Sequence, residues 1–297
     1  MSPAELEGTH MIALAIGLAV VVGVSLGLLG GGGSILTVPL LAYVAGLDPK
    51  HAIATSLLVV GATSAVGAVS HARAGRVQWR TALLFGDSSM VGAYSGGQLT
   101  RYIPGHVLLI AFAVIMVATA IAMLRGRKAG AAVDPTHRMP VVKSAAIGLA
   151  LGLVTGTVGA GGGFLVVPAL VLLGGLPMPI AVGTSLAVIA MNSFAGLAGY
   201  LSVVRIDWAV AGLVTAAAVA GALIGVRFAA KVNPEVLRKA FGWFVLVMAS
   251  VILGEELSPV VGYTGVGLTG LAFAMAFACN HIAACPLRAL TAHASAA

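Results

Sequence analysis

Charged side chains are scarce in this sequence. Only 8% of its 297 residues are Asp, Glu, Lys or Arg, whereas 60% are hydrophobic. Soluble globular domains carry about 25% charged residues, so the shortage excludes a soluble globule and indicates a protein of the lipid bilayer. The net charge of +7 would suggest acidic partners in a soluble protein. In a membrane protein we interpret this positive net charge as a consequence of the topology.

Cysteine is nearly absent as well. Cys279 and Cys285 are the only two, and they lie with one histidine in the stretch CNHIAAC. A structural zinc site needs four ligands and only three are close together here, so we expect no metal site and no cofactor. Lys and Arg are also missing before residue 11. Without that basic flank, we expect the first apolar segment to be retained rather than cleaved as a signal peptide.

The sequence has long apolar stretches instead. Eight of them approach the roughly 20 residues that cross a bilayer as a helix, and a weaker ninth covers 260–279. We therefore predict an all-α, polytopic transmembrane helical bundle with eight to nine long hydrophobic segments. The eight are 11–30, 51–71, 81–98, 104–124, 144–162, 179–200, 208–226 and 238–253.

One unusual motif occurs twice, as GLLGGGGSILTVPLL at 27–41 and GTVGAGGGFLVVPAL at 156–170, with an offset of 129 residues. Other identical residues recur at that offset without a gap, among them Ser64/Ser193, Arg76/Arg205, Trp79/Trp208, Gly92/Gly221 and Gly96/Gly225. The four-residue spacing of the last two glycine pairs predicts close packing of transmembrane helices. A shared abundance of Gly and Ala cannot produce matched Arg and Trp. The sequence therefore predicts two homologous repeats. We divide the chain into an N-terminal tail (1–10), repeat one (11–124), a linker (125–143), repeat two (144–253) and a C-terminal tail (254–297).

The distribution of Lys and Arg distinguishes two topologies, because cytoplasmic loops are enriched in these residues. If each glycine-broken segment returns to its own side, the repeats are inverted, with 12 cations in cytoplasmic loops and 3 outside. If each segment crosses once, the repeats are parallel and the tally is 9 against 6. We favour inverted repeats, each with a re-entrant or half-helix segment. The linker is then cytoplasmic and the N-terminal tail extracytoplasmic.

The glycine breaks predict an anion site. Each helix-interior Gly costs about 1 kcal/mol relative to Ala, so the consecutive glycines should open the helix. Backbone groups freed at membrane depth must be buried in protein or face a water-filled cavity. The half-helix after each break presents N–H groups at its positive end, which suits an anion near a common midplane. The predicted substrate-binding residues are Gly30, Gly31, Gly32, Gly33, Ser34, Gly159, Gly161, Gly162 and Gly163.

Several polar residues lie within apolar surroundings and have two interpretations each. Hydroxyl and amide groups contact the substrate or bond to their own or a neighbouring helix. Asp87 carries a coupling proton or cation, or it lies at a hydrated helix end beside an arginine. Arg76 and Arg205 attract anions at the mouths of the path, or they are interfacial topology residues. The hydroxyl and amide candidates are Thr55, Ser56, Thr184, Ser185 and Asn192.

Taken together, these motifs resemble the TauE/SafE family of sulfite exporters over about 11–253. The most specific parts are the doubled glycine motif, with Ala160 replacing one Gly, the Val-Pro that follows, and Ala-x-x-Thr-Ser-Leu around Thr55 and Thr184. The resemblance implies a multi-pass inner-membrane transporter that moves small sulfur-containing anions such as sulfite, sulfoacetate or thiosulfate, commonly outward.

Our leading hypothesis is thus a secondary anion transporter whose partners are a small anion, the lipid bilayer and a coupling proton or cation. A passive anion channel is the nearest alternative. A membrane-embedded enzyme is a weaker one, since neither a Gly-x-Ser-x-Gly elbow nor a His-Glu-x-x-His zinc motif occurs. We expect no catalytic residues.

Overall fold

The structure, a computed structural model, describes residues 17, 19–27, 34–125, 141–159, 162–172, 176–229, 234–258 and 262–270. The regular secondary structure in this part of the chain is helical, as predicted. Its eleven longer helices are α1 (19–27), α2 (Ser34–Val44), α3 (Pro49–Arg73), α4 (Trp79–Leu99), α5 (Gly105–Arg125), α6 (Val141–Val158), α7 (Gly163–Leu172), α8 (Met178–Tyr200), α9 (Trp208–Ala229), α10 (Pro234–Glu256) and α11 (262–270). A short 3-10 helix at Thr100–Tyr102 follows α4.

Three helices in the described part are long and apolar enough to cross a membrane: Pro49–Arg73, Ile180–Tyr200 and Trp208–Gly225. Shorter apolar helices accompany them at Ser34–Val44, Gly105–Ile121 and Ser144–Val158. The predicted class of fold is confirmed in this form. Of the weak ninth segment, only 262–270 is described, as α11, so a ninth long membrane helix stays a prediction.

Helix starts follow local signals in the sequence. Pro49 opens α3, where its missing N–H costs nothing, and the Asp48 carboxylate accepts from the Lys50 N–H at 3.2 Å. At the start of α9, the Asp207 carboxylate accepts from the Ala209 N–H at 3.0 Å. Four helices of the first half begin 129 residues before four of the second half: α2 and α7, α3 and α8, α4 and α9, α5 and α10.

The centre of the bundle is the pair α3 and α8. About two thirds of the apolar window of each is buried, compared with one third for α9. Along the pair, Leu57 packs near Gly196, Gly61 near Ser193, and Gly67 near Leu186. Residue numbers therefore rise along α3 while they fall along α8. The two central helices, which correspond at the 129-residue offset, run antiparallel.

Two further helix pairs pack backbone to backbone through glycine. A side chain added at Gly92 or Gly96 of α4 would collide with carbonyl oxygens of α6, at Leu149 and Leu153. In α9, Gly221 and Gly225 have the same relation to carbonyl oxygens of α1, at Val20 and Val24. All these positions correspond at the 129-residue offset. Packing, which we expected from the four-residue spacing of these glycines, is their role.

Candidate functional site

The second glycine break is a sharp reversal between α6 and α7. The helix α6 ends at Val158, and both Gly159 and Gly162 have a φ of 77°. That left-handed backbone disfavours residues with a Cβ atom. A Cβ on Gly159 would also collide with the side chain of Ile53, so the break lies tightly against α3. Glycine is therefore required at this position for two separate reasons.

Ser56 joins α3 to the break. Its hydroxyl oxygen lies 2.7 Å from the carbonyl oxygen of Ile53, in its own helix, and 2.7 Å from that of Gly159. A hydroxyl has one proton to donate, so it can satisfy only one of these carbonyls at a time. Both bonds are to protein carbonyls, one in its own helix and one in the break, so contact of Ser56 with a substrate stays a prediction. Ser56 is the predicted site residue that the structure brings to the break.

The corresponding pair in α8 has different partners. The Thr184 hydroxyl oxygen accepts from the backbone N–H of Gln78 at 3.0 Å, which ties α8 to the loop before α4. Ser185 donates to the Val182 carbonyl of its own helix at 2.8 Å. Thr55 is buried in α3, with 5% of its surface exposed. The matched Thr-Ser pairs therefore make unlike contacts in this conformation.

Asn192 links two helices rather than the two breaks. Its Nδ2 donates to the Ser89 hydroxyl of α4 at 2.6 Å. Its Oδ1 is buried and has no hydrogen-bond partner in the described part of the chain. The neighbouring Ser193 hydroxyl is also buried without a partner there. The two groups lie on different sides of α8, since Asn192 contacts Ser89 of α4 and Ser193 lies near Gly61 of α3.

Asp87 and the two arginines lie on the surface. Asp87 is exposed on α4, on the same face as Val91 and Tyr94, which are 59% and 45% exposed. Arg76 and Arg205 are exposed in the loops after α3 and α8. Because those helices are antiparallel, the two arginines lie at opposite ends of the central pair.

Part of the predicted site lies outside the described residues. This applies to Gly30, Gly31, Gly32, Gly33 and Gly161, so the meeting of the two break tips is not observed. Ser34 is fully buried at the start of α2, and Gly163 is buried at the start of α7.

The residues that flank the two breaks lie at different levels along α3. Gly159 packs against Ile53, whereas Gly27, just before the first break, lines a cavity with Gly67 and His71. With a rise of 1.5 Å per residue, the two levels are roughly 20 Å apart.

Sequence reasoning missed this cavity beside Ser64 and His71. In the sequence, Ser64 stands out only as one of the positions matched at the 129-residue offset. His71 corresponds at that offset to Tyr200, a residue of different chemistry. The signal that would have found the cavity is this mismatch between otherwise similar segments. The described residues contain no group of three or more metal-ligating side chains. Cys279 and Cys285 lie outside them.

The helical bundle and its exposed apolar side chains are those of a multi-pass membrane protein. Comparison with known proteins identifies it as a membrane transporter. The model of the family described as "Sulfite exporter TauE/SafE" matches residues 15–252. The chain belongs to this family.

Curated relatives extend over most of the chain. A "Probable membrane transporter protein" of Xylella fastidiosa (strain 9a5c) is 36% identical over 84% of this chain and 98% of its own length. YdhB of Bacillus subtilis (strain 168) is 28% identical over 78% of this chain and 95% of its own length. MJ0441 of Methanocaldococcus jannaschii is 27% identical over 84% of this chain and 95% of its own length. No solved structure is significantly similar.

Proposed function

We propose that this protein is a secondary transporter that exports small sulfur-containing anions such as sulfite, sulfoacetate or thiosulfate. Alternating access takes place around an anion site that the two glycine breaks flank. The observation that carries the proposal is the break between α6 and α7, a non-helical backbone segment buried against α3. Such backbone occurs at membrane depth where it is enclosed by protein or lines a path for a polar solute.

The direction of the chain around the break supports a re-entrant hairpin. The contacts of Gly148 with Phe85, Gly152 with Ser89 and Gly156 with Ala93 make α6 run parallel to α4. The helix α7 then has only 10 residues, about 15 Å, which is too short to cross a hydrocarbon core of about 30 Å. Its far end, at Leu170, packs in the same cluster as Ala68 and Ala82, near the loop between α3 and α4. The segment thus enters and returns on one side.

Inverted repeats follow from the same reasoning. The helices α3 and α8 correspond at the 129-residue offset and run antiparallel, so the rotation that exchanges them has its axis perpendicular to both helices. For helices that cross a bilayer, such an axis lies in the membrane plane. The tally of cations in the loops favours this topology independently. In this arrangement Arg76 faces the cytoplasm and Arg205 the outside.

The chemistry near the break suits an anion more than a cation. The positive end of α7 begins at Gly163, and the hydroxyl of Ser56 can turn from Gly159 toward a ligand. Asp87, the acid that we predict to carry a coupling ion, is exposed on the outer face of α4. We propose that substrate binding and ion coupling are therefore carried by separate groups.

The test is flux in proteoliposomes. Protein reconstituted in both orientations should release labelled sulfoacetate from preloaded vesicles, and unlabelled sulfite or thiosulfate outside should exchange with it. Counterflow, the transient uptake of label against its gradient, distinguishes a transporter from a passive channel, which equilibrates without it. Absence of anion-dependent flux under every imposed pH or voltage gradient would overturn the proposal. Empty vesicles provide the baseline.

A further inference from the structure

A small cavity lies between α1, α3, α8 and α9, next to the residues that precede the first glycine break. Its volume is about 40 Å³, about three times what one water molecule needs, so it can take a small polar group but no large ligand. The polar residues that line it come from α3, and the apolar ones from the other three helices and from α3 itself. The polar residues are Thr63, Ser64, Ser70 and His71.

Two of these polar groups have unused hydrogen-bonding capacity. The Ser64 hydroxyl and the His71 Nδ1 are both buried, and neither has a hydrogen-bond partner in the described part of the chain. Ser64 as a whole is 1% exposed. The neighbours differ, because Thr63 donates to the Val59 carbonyl at 2.7 Å and Ser70 reaches that of Val66 at 3.4 Å. A buried polar group without a partner costs about 1–3 kcal/mol, so a ligand that pairs with both groups is favoured.

The charge around the cavity selects the sign of that ligand. No carboxylate is present among the described residues that line the cavity. Beside it, the backbone N–H of Arg76 donates to the His71 carbonyl at 2.9 Å, and the Arg76 backbone and His71 Nδ1 both pack against Gly183 of α8. The hydroxyl of Ser64 and the imidazole of His71 can both donate hydrogen bonds, which suits an anionic ligand.

The equivalent position in the other half carries a tyrosine. At the 129-residue offset, Ser64 corresponds to Ser193 and His71 to Tyr200. Tyr200 is fully buried, and its hydroxyl donates to the Thr157 carbonyl at 2.7 Å, close to the second break. The two halves of the chain therefore differ here: a polar cavity lies beside His71, whereas the corresponding Tyr200 is packed and hydrogen-bonded.

We propose that the Ser64–His71 cavity is an anion subsite of the transport path, which accepts a sulfonate-type oxyanion head group through the Ser64 hydroxyl and His71 Nδ1. Tyr200 stands at the equivalent position of the other half. The assignment rests on the proposed transport of anions and gives that function a second contact point, roughly 20 Å from the Gly159 break along α3. When the path opens at the other side, Tyr200 leaves the Thr157 carbonyl and the cavity at His71 closes.

The experiment uses a matched pair of isosteric variants. Ser64→Cys and Ser193→Cys are made in a background in which Cys279 and Cys285 are replaced by Ser. Both serines are buried, 1% and 0% exposed, and both hydroxyls lack partners in the described residues, but only Ser64 lines the cavity. Reaction with methyl methanethiosulfonate, a small neutral reagent, should be fast for Ser64→Cys and slow for Ser193→Cys.

Protection then tests binding. Sulfoacetate is the probe, because sulfite would cleave the disulfide that the reagent forms. Millimolar sulfoacetate, but not gluconate at equal ionic strength, should slow labelling of Ser70→Cys, which is exposed at the same cavity and leaves the Ser64 hydroxyl and His71 in place. Adding His71→Phe should raise the sulfoacetate concentration for half protection about tenfold or more, since a hydrogen bond to a charged group contributes about 1.5–3 kcal/mol.

The outcomes separate this inference from the transport proposal. Labelling of Ser70→Cys without protection by sulfoacetate, or equal labelling of Ser64→Cys and Ser193→Cys, overturns the subsite even if the parent protein transports sulfoacetate. Protection that His71→Phe weakens, in a protein with no sulfoacetate flux, supports the subsite and overturns transport of that anion.

Discussion

Replacement of Gly159 by Ala should damage the break selectively. The left-handed φ of 77° costs a residue with a Cβ about 1–2 kcal/mol. The added Cβ also meets the side chain of Ile53 and lies 3.2 Å from its Cα, so either α3 or the break must move. Overpacking of this kind costs typically about 1–3 kcal/mol. The expected loss is therefore about 2–5 kcal/mol in total.

Gly46 provides the matched control. Its φ is 67°, nearly that of Gly159, but a Cβ there would meet nothing within 4 Å. Gly46→Ala should therefore lose only the conformational part, about 1–2 kcal/mol. The difference between the two variants isolates the contact with Ile53. We would measure it by SDS titration of the purified protein, with sulfoacetate flux in proteoliposomes as the functional readout.

A double-mutant cycle identifies the colliding atom. Ile53→Val keeps the branched Cγ atoms, so it should not relieve Gly159→Ala, whereas Ile53→Ala removes them and should recover part of the loss. A coupling free energy of about 1 kcal/mol or more is expected only with Ile53→Ala. Equal losses for Gly159→Ala and Gly46→Ala, or equal coupling with Val and Ala at position 53, would refute the reasoning.

Three further predictions concern the bundle around the break. Ser56→Ala should lower flux several-fold while leaving insertion intact, whereas unchanged KM and kcat would exclude the hydroxyl from the path. Gly92→Ala should destabilise the protein by about 1–3 kcal/mol because α4 must move away from α6. In the control Gly212→Ala, the added Cβ meets no atom within 4 Å, so helix propensity should stabilise the protein by up to about 1 kcal/mol. SDS titration compares the two variants. Asp87→Asn should abolish the dependence of flux on a pH or ion gradient but keep counterflow, and flux that still follows the gradient would remove Asp87 as the coupling group.

The sequence predicted the helices well because their signals are local. Pro49, Trp79 and Trp208 stand at helix starts, and the apolar segments between them have the length of a bilayer crossing. The small residues at four-residue spacing, Gly92 and Gly96, indicated close helix packing, and the structure confirms it. These features depend on residues within a few turns of each other.

The candidate site was predicted less completely, because its contacts join distant segments. Ser56 and the Gly159 carbonyl are 103 residues apart, as are Asn192 and Ser89, and Thr184 and the Gln78 N–H are 106 apart. No local sequence pattern predicts which hydroxyl will bond to its own helix and which will bond to another helix.

By itself, the sequence determined the class of protein, the position of the glycine breaks and the repetition at 129 residues. Composition decides whether the chain is stable in water or in a lipid bilayer, and a run of glycines weakens a helix whatever the surrounding fold. Only the tertiary structure decided that α3 and α8 run antiparallel, that Gly159 is held against Ile53, and that a cavity lies beside His71 whereas the corresponding Tyr200 is fully buried. Those outcomes depend on how whole helices pack, since burial and the loss of partners arise only when distant surfaces meet.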